Sequence, residues 1–219
     1  TRNDLCVRLA RSEREVATAQ ELRFSVFYEE LKASPDTAAS HSRRDADRFD
    51  AFCDHLIVVR RTAGNEAGKF GVDDGEMVGT YRLLRQSVAE QNGGFYTQSE
   101  FDIAPLLAAK PALKFLELGR SCVLKQYRTK PVVELLWQGI WAYVSHYRID
   151  VMTGCASFRG IVPASHAQAL SFLSHNCRAA FFRYAGQASS ICSTASRCIC
   201  ITCSIGSRLT SNDSNGPTA

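Results

Sequence analysis

The sequence predicts one α/β domain with a mixed sheet, and three observations carry that prediction. Strand-like apolar runs and segments of helical period follow one another as strand–helix, then paired strands, then strand–helix–strand–helix, an order that combines antiparallel and parallel neighbours. The chain has 219 residues, 45% hydrophobic and 22% charged, enough for one filled core and ordinary for a soluble globular protein. Residues 115–143, FLELGRSCVLKQYRTKPVVELLWQGIWAY, read as a buried strand, a basic turn and an amphipathic helix in direct succession.

Residues 7–10 predict a short first strand. Ser12 with Glu15 is a capping box, and it starts a helix that runs to about Leu31. Val16, Ala19, Gln20, Arg23, Phe27 and Glu30 lie along one side of that helix, so Arg23 needs a carboxylate partner. Residues 33–46 are polar and aperiodic and predict a mobile loop. Asp45, Asp47, Asp50 and Asp54 then gather around Phe49 and Phe52. Composition alone favours a solvated acidic loop there. The sharper reading has Asp47 and Asp50 paired with buried arginines or holding a cationic substrate. Residues 55–59 and 77–84, the second carrying Arg82 in an apolar setting, predict a strand hairpin around a turn or insertion at 62–75. Residues 86–100 read as a polar loop and 101–107 as a helical turn.

In the central strand, Glu117 and Arg120 are costly inside a core unless paired or put to use. Their spacing of three would point them to opposite faces of an ideal strand, and Gly119 between them marks where a bulge would re-aim one. Pro131 suits the first turn of the following helix, whose apolar face is predicted to be Val133, Leu136, Trp137, Ile140 and Tyr143/Val144. A helix N-terminus beside Arg128 and Lys130 is a place where a phosphate would be welcome, the alternative being ordinary surface charge. Residues 150–157 predict another buried strand and 163–175 another helix.

The net charge of +4 fits an anionic partner, such as an acidic carrier protein or a phospholipid surface, and is too small to argue for nucleic acid. No apolar run approaches a membrane span, and no signal-peptide core opens the chain. Cys6, Cys53, Cys122, Cys155 and Cys177 sit singly in apolar segments and read as free thiols of a cytoplasmic protein. Cys122 and Cys155 invite a nucleophile reading, but no histidine stands beside them, and they are taken as core thiols. His146, His166 and His175 lack ligand spacing. Cys192, Cys198, Cys200 and Cys203 crowd the tail without a nearby histidine, so no metal site is assigned. The domain is placed at 1–178. Residues 179–219 form an atypical Ser/Cys-rich tail in which 197–205 alternate like a strand and the end is disorder-like. The tail is expected not to be the native ending of the domain, as a change of reading frame would leave it.

The set Arg23…Phe27, Asp47-Arg48-Phe49-Asp50, Gly79-Thr80-Tyr81-Arg82-Leu83-Leu84, Phe101 and Glu117-Leu118-Gly119-Arg120 resembles the acyl-homoserine-lactone synthases and their relatives in the GNAT superfamily. The phrases DRFDAFCDHL, GTYRLLRQ, LELGRSCV, ELLWQGIWAY and RIDVMTGCASF are more similar still to the hemolysin-like ornithine-lipid N-acyltransferases, over about residues 5–178. The resemblance implies a GNAT-like three-layer fold. It implies transfer of a 3-hydroxyacyl group from acyl carrier protein to the α-amine of ornithine, with no cofactor beyond the donor's phosphopantetheine thioester. Peripheral contact with the inner membrane would follow from an amphiphilic product.

The resemblance maps Glu117 and Arg120 to the catalytic centre and Arg23, Phe27, Asp47, Asp50, Arg82 and Phe101 to the substrate clefts. Glu117 would take the amine proton or hold the ammonium, its alternative being a structural partner of Arg23 or Arg120. Backbone N–H groups beside Gly119 would polarise the thioester carbonyl. Arg82 and Arg120 would brace the cleft or bind a carboxylate; Asp47 and Asp50 would receive the ornithine δ-ammonium or pair with those arginines. The turn at 128–133 has no glycine, which restricts backbone approach to a pyrophosphate but leaves Arg128 and Lys130 for the single phosphodiester of a pantetheine arm. Two other readings are carried: an autoinducer synthase with S-adenosylmethionine as acceptor, and a non-catalytic module binding acyl carrier or a membrane surface.

Overall fold

Residues 4–62, 68–158, 162–176 and 197–204 are described in a computed structural model of the protein. The sheet runs in the order β1 (Leu5–Leu9), β2 (Asp54–Arg60), β4 (Gly75–Arg85), β5 (Phe115–Val123), β6 (Val151–Phe158) and β7 (Arg197–Ser204), with the two-residue β3 (Gly71–Val72) paired to β4. Every neighbouring pair is antiparallel except β5 and β6. A parallel pair needs a crossover, and α5 (Lys130–Tyr147) provides it. The predicted mixed sheet and the β2–β4 pairing are both present. The alternation at 197–205 becomes β7, which pairs with β6 from Val151↔Ser204 to Phe158↔Arg197. The rest of the Ser/Cys-rich tail lies outside the described residues.

The layers follow from the two-residue period of β2. Leu56 and Val58 point to one side, where Val132, Leu136, Ile140 and Tyr143 of α5 cover them. Ile57 and Val59 point to the other, where Ala19 and Leu22 of α1 (Glu13–Phe24) close the second layer. A third cluster, with Phe49, Leu84, Phe95, Phe115 and Val151, fills the end of the sheet near the start of β5.

Four local expectations are corrected. The buried face of α5 is Val132, Leu136, Ile140, Tyr143 and Val144, while Val133 and Trp137 are 45% and 48% exposed. The helix is apolar on two adjoining stripes, and periodicity alone does not choose between them. The first helix does start at Ser12, whose hydroxyl accepts from the Glu15 N–H at 3.3 Å, but from Ser25 to Glu30 it is wound as a π-helix. The predicted mobile loop at 33–46 contains α2 (Thr37–Ser42), capped by Asp36 on the Ala39 N–H at 2.7 Å. The predicted polar loop at 86–100 contains α3 (Gln86–Gln91) and a 3-10 turn, Tyr96–Ser99. Two shorter shifts are plainer: the helical turn expected at 101 begins later, as α4 (Ala104–Ala109), and α6 spans Ala167–Asn176.

Candidate active site

β5 is bulged where it passes β4. Thr80 pairs with Cys122 and Arg82 with Gly119, so Tyr81 alone stands opposite both Arg120 and Ser121. The bulge falls one residue beyond Gly119, the expected position, and Arg120 itself takes the left-handed conformation at φ +50°. That conformation costs a non-glycine residue roughly 1–2 kcal/mol, so the surroundings must hold it. The extra residue turns Arg120 to the side Glu117 faces, and both line one cleft with Arg82, Leu84, Tyr96, Leu118, Gly119 and Cys155. On its other edge β5 pairs with β6 only from Phe115 to Glu117, against Val151 to Thr153, although both strands run on. The cleft lies where that parallel pairing ends.

Behind the cleft, three arginines and three aspartates alternate in a closed ring. Arg23 bonds both oxygens of Asp50, at 2.9 and 2.7 Å. Arg82 Nη1 joins Asp50 (3.2 Å) to Asp47 (2.6 Å). Arg120 Nη2 meets the other Asp47 oxygen at 3.2 Å, and its Nε lies 3.1 Å from Asp45 Oδ2. Asp45 returns to Arg23, whose Nε is 2.9 Å away and whose Nη2 donates to the Asp45 carbonyl. The two Nε contacts on Asp45 are close charge contacts with the N–H aimed off the oxygen. The charges cancel within the ring. That is the condition under which ions can sit this deep: Arg23 is 0% exposed, Asp45 5% and Asp50 8%.

Local sequence prepares this arrangement. In Asp47-Arg48-Phe49-Asp50 the two aspartates form a capping box at the start of a 3-10 turn. Asp47 accepts from the Phe49 N–H at 2.9 Å, and Asp50 accepts from the Asp47 N–H at 3.0 Å. The turn thus presents fixed carboxylates to Arg23 from α1, Arg82 from β4 and Arg120 from β5. The solvated acidic loop that composition favoured is overturned, and the pairing with buried arginines holds. Burial alone would raise the Asp50 carboxyl; the bonds from Arg23, with the Asp47 N–H and Arg82, hold it well below the usual carboxylate range. Tyr28 donates to Asp45 at 3.0 Å, and burial beside that carboxylate pushes its phenol up to about 12.

Glu117 stands outside the ring. It is 5% exposed and accepts from the Tyr96 N–H at 2.8 Å, from the Thr97 N–H at 2.6 Å and from the Thr97 hydroxyl. Its partner is therefore neither Arg23 nor Arg120, as expected for a structural role, but the start of the 3-10 turn Tyr96–Ser99. Gly93 and Gly94, at φ +85° and +97°, make the reversal that brings this turn over the cleft. Arg120 lies over the Tyr96 ring, 5.2 Å from its centre. Cys155 donates to Thr97 Oγ1 at 3.6 Å and lines the cleft, half-buried, where a core thiol was expected. Cys122 is buried and Cys53 half-buried, and desolvation pushes both thiols up to about 12, which disfavours either as a nucleophile.

The remaining site residues are placed elsewhere. Phe27 and Phe101 pack into the second and third apolar clusters and do not line the cleft. Arg128 is gripped by Glu30 through two bonds of 2.5 and 2.7 Å and donates from Nε to the Val123 carbonyl. Lys130 lies 3.6 Å from Glu134 with its side chain 86% exposed. Of the two cations expected to await a phosphate, Arg128 is thus tied to a carboxylate, while Lys130 keeps only a long surface contact with Glu134. Sequence reasoning did not assign Asp45, Tyr96, Thr97 or Cys155 to the site. The first belonged to a visible aspartate cluster, and the Asn92-Gly93-Gly94 turn signal stood just before the second and third.

Thr97 is fully buried, and its hydroxyl is one of three donors to Glu117. Thr97→Val keeps the shape and removes that donor. It is expected to lower unfolding stability by about 1.5–3 kcal/mol, the range for a bond to a charged group, with Thr97→Ser recovering most of it in urea titrations.

The family described as acetyltransferase (GNAT) domain matches residues 22–138. The chain is 54% identical over 172 residues, 78% of its length, to an L-ornithine N(alpha)-acyltransferase of Agrobacterium fabrum, of which the match covers 57%. It is 37% identical over 170 residues, again 78% of its length, to a protein of the same name from Rhodobacter capsulatus, covering 62% of that relative. The chain thus spans about 57% of the length of the Agrobacterium relative. Among solved structures it is similar to an N-acyl amino acid synthase from uncultured soil microbes, at 14% identity and a TM-score of 0.48 over 77% of each chain. It is also similar to the AHL synthase LasI, at 14% identity and a TM-score of 0.46 over 76% of this chain and 77% of that one. The family match takes in more than half of the chain, including every member of the charged ring, Glu117 and the bulged strand, and the chain belongs to the acetyltransferase (GNAT) family.

Proposed function

We propose that the chain is the acyl-transferring domain of an L-ornithine Nα-acyltransferase, which moves a 3-hydroxyacyl group from the thioester of acyl carrier protein to the α-amine of ornithine. The observation that carries the reaction type is the shared cleft wall: a carboxylate, Glu117, and two guanidinium groups, Arg82 and Arg120, face one opening where β5 and β6 cease to pair. The acceptor rests on the 54% identity to relatives that bear the ornithine name.

Aminolysis of a thioester needs a neutral amine, a polarised carbonyl and fixed geometry, and it needs no covalent enzyme intermediate. The pantetheine arm would enter between β5 and β6, with backbone N–H groups near the bulge facing the thioester oxygen. The α-nitrogen attacks the carbonyl carbon, the C–S bond breaks, and the carrier thiolate leaves and takes a proton. Glu117 would accept the amine proton through the one lone pair, on Oε2, that its three donors leave open.

Asp50 is spent on Arg23, Arg82, the Asp47 N–H and Gln20, so of the two aspartates expected to meet the δ-ammonium the reading keeps Asp47. Asp47 retains 24% side-chain exposure. Arg128 could serve a phosphodiester only by leaving Glu30.

The test is incubation of the chain with 3-hydroxyacyl carrier protein and ornithine, followed by mass spectrometry and a thiol assay. The expected result is one Nα-acylornithine formed per carrier thiol released. Thiol release that is independent of ornithine, or an acylated δ-amine, would defeat the assignment.

A further inference from the structure

The second apolar stripe of α5 has no partner among the described residues. Val133, Trp137 and Trp141 follow one another at every fourth position and are 45%, 48% and 54% exposed. At 100° per residue they form one line along the helix, roughly a quarter-turn from the face seated on the sheet. Lys130 and Arg148, both exposed, close the two ends of the same line. One acidic side chain, Glu134, lies on this flank, 3.6 Å from Lys130.

We infer that this stripe seats the protein on an anionic phospholipid surface. Three observations favour a lipid occupant over a protein one. Three side chains in single file fall well short of the roughly 1,000 Å² of a stable protein–protein contact. Tryptophan joins an apolar body to an N–H donor and suits the headgroup level of a bilayer. The terminal cations complement anionic headgroups. The attachment lies in the plane of the surface, since no helix among the described residues is long and apolar enough to cross a membrane. The inference rests in part on the proposed function, whose acylated product partitions into lipid.

The sequence contains two tryptophans, Trp137 and Trp141, so intrinsic tryptophan emission reads this stripe alone. The experiment adds unilamellar vesicles of phosphatidylglycerol and phosphatidylcholine to the full chain, with pure phosphatidylcholine as the comparison. With the anionic vesicles the emission shifts to the blue and is quenched by brominated acyl chains, and binding falls at least tenfold on pure phosphatidylcholine. A W137S/W141S variant, checked for native circular dichroism, sediments with anionic vesicles at least tenfold more weakly than the unaltered chain. Unchanged emission with anionic vesicles overturns the inference. So does a blue shift that depends on protein concentration without lipid and accompanies a dimer mass, which would assign the stripe to a second copy. Vesicle binding is read without turnover. Seating without acylornithine formation would therefore remove the functional reading and leave the surface, and the converse result would do the opposite.

Discussion

Arg23→Met is expected to destabilise the fold by about 3–5 kcal/mol, the range seen when one partner of a buried ion pair is removed. Methionine fills much of the volume, so the loss is electrostatic. Asp45 and Asp50, both buried, would keep their charges with one guanidinium fewer between them. A urea titration reads the effect as a lower midpoint with an unchanged slope. Arg23→Met combined with Asp50→Asn should lose less than the sum of the two single changes, because the second removes the charge that the first leaves unpaired.

The ring also fixes the sign of the acid response. The folded-state Asp50 carboxyl is held well below its ordinary value, so the unfolded chain takes up its proton first. The stability it contributes is complete above about pH 4 and is lost as pH falls from there toward the folded value. His55, whose Nε2 lies 3.2 Å from the Asp50 carbonyl, is pushed down by burial. Its unfolded form gains a proton below about pH 6.5 while the folded form resists, so stability falls in the same direction and begins earlier. Arg23→Met should flatten the lower of these two steps.

Glu117→Gln is expected to lower kcat by about 10²–10⁴-fold, the contribution of a positioned acid or base. It also turns one NH₂ toward backbone donors: the Tyr96 N–H addresses one oxygen and the Thr97 N–H and hydroxyl the other. A stability loss of about 1–3 kcal/mol should accompany the kinetic one. One comparison separates the roles. If Glu117 carries the proton, Thr97→Val, which keeps the carboxylate, loses far less rate than Glu117→Gln; if it only anchors the turn, Thr97→Val reproduces the same rate loss.

What the sequence made legible depended on the range of the interaction. Strands with strong periods, such as 55–59 and 77–84, appear as β2 and β4 with small changes at their ends. The charged residues Arg23, Asp47, Asp50, Arg82 and Arg120 were marked by their cost in apolar surroundings and by likeness to a family, and they do converge. The partners of Glu117 were not legible, because two of its three donors are backbone N–H groups, which every residue but proline possesses. Nor was the bulge position: glycine is the residue expected at positive φ, yet it is Arg120 that adopts it, held by contacts to Asp45 and Asp47 from a distant turn. Six-residue helices such as α2 and α3 are too short to show a period. On α5 two apolar stripes competed for the core, and the packing of Leu136 and Ile140 against the sheet decided between them.

The most direct test is a crystal structure of the chain with a non-hydrolysable acyl-pantetheine thioether and ornithine. The pantetheine arm should lie between β5 and β6, with its carbonyl beside the bulge at Arg120 and the ornithine α-nitrogen within hydrogen-bond reach of Glu117. An arm bound elsewhere on the sheet, or a Glu117 carboxylate still enclosed by Tyr96 and Thr97 with no path to the amine, would contradict the account.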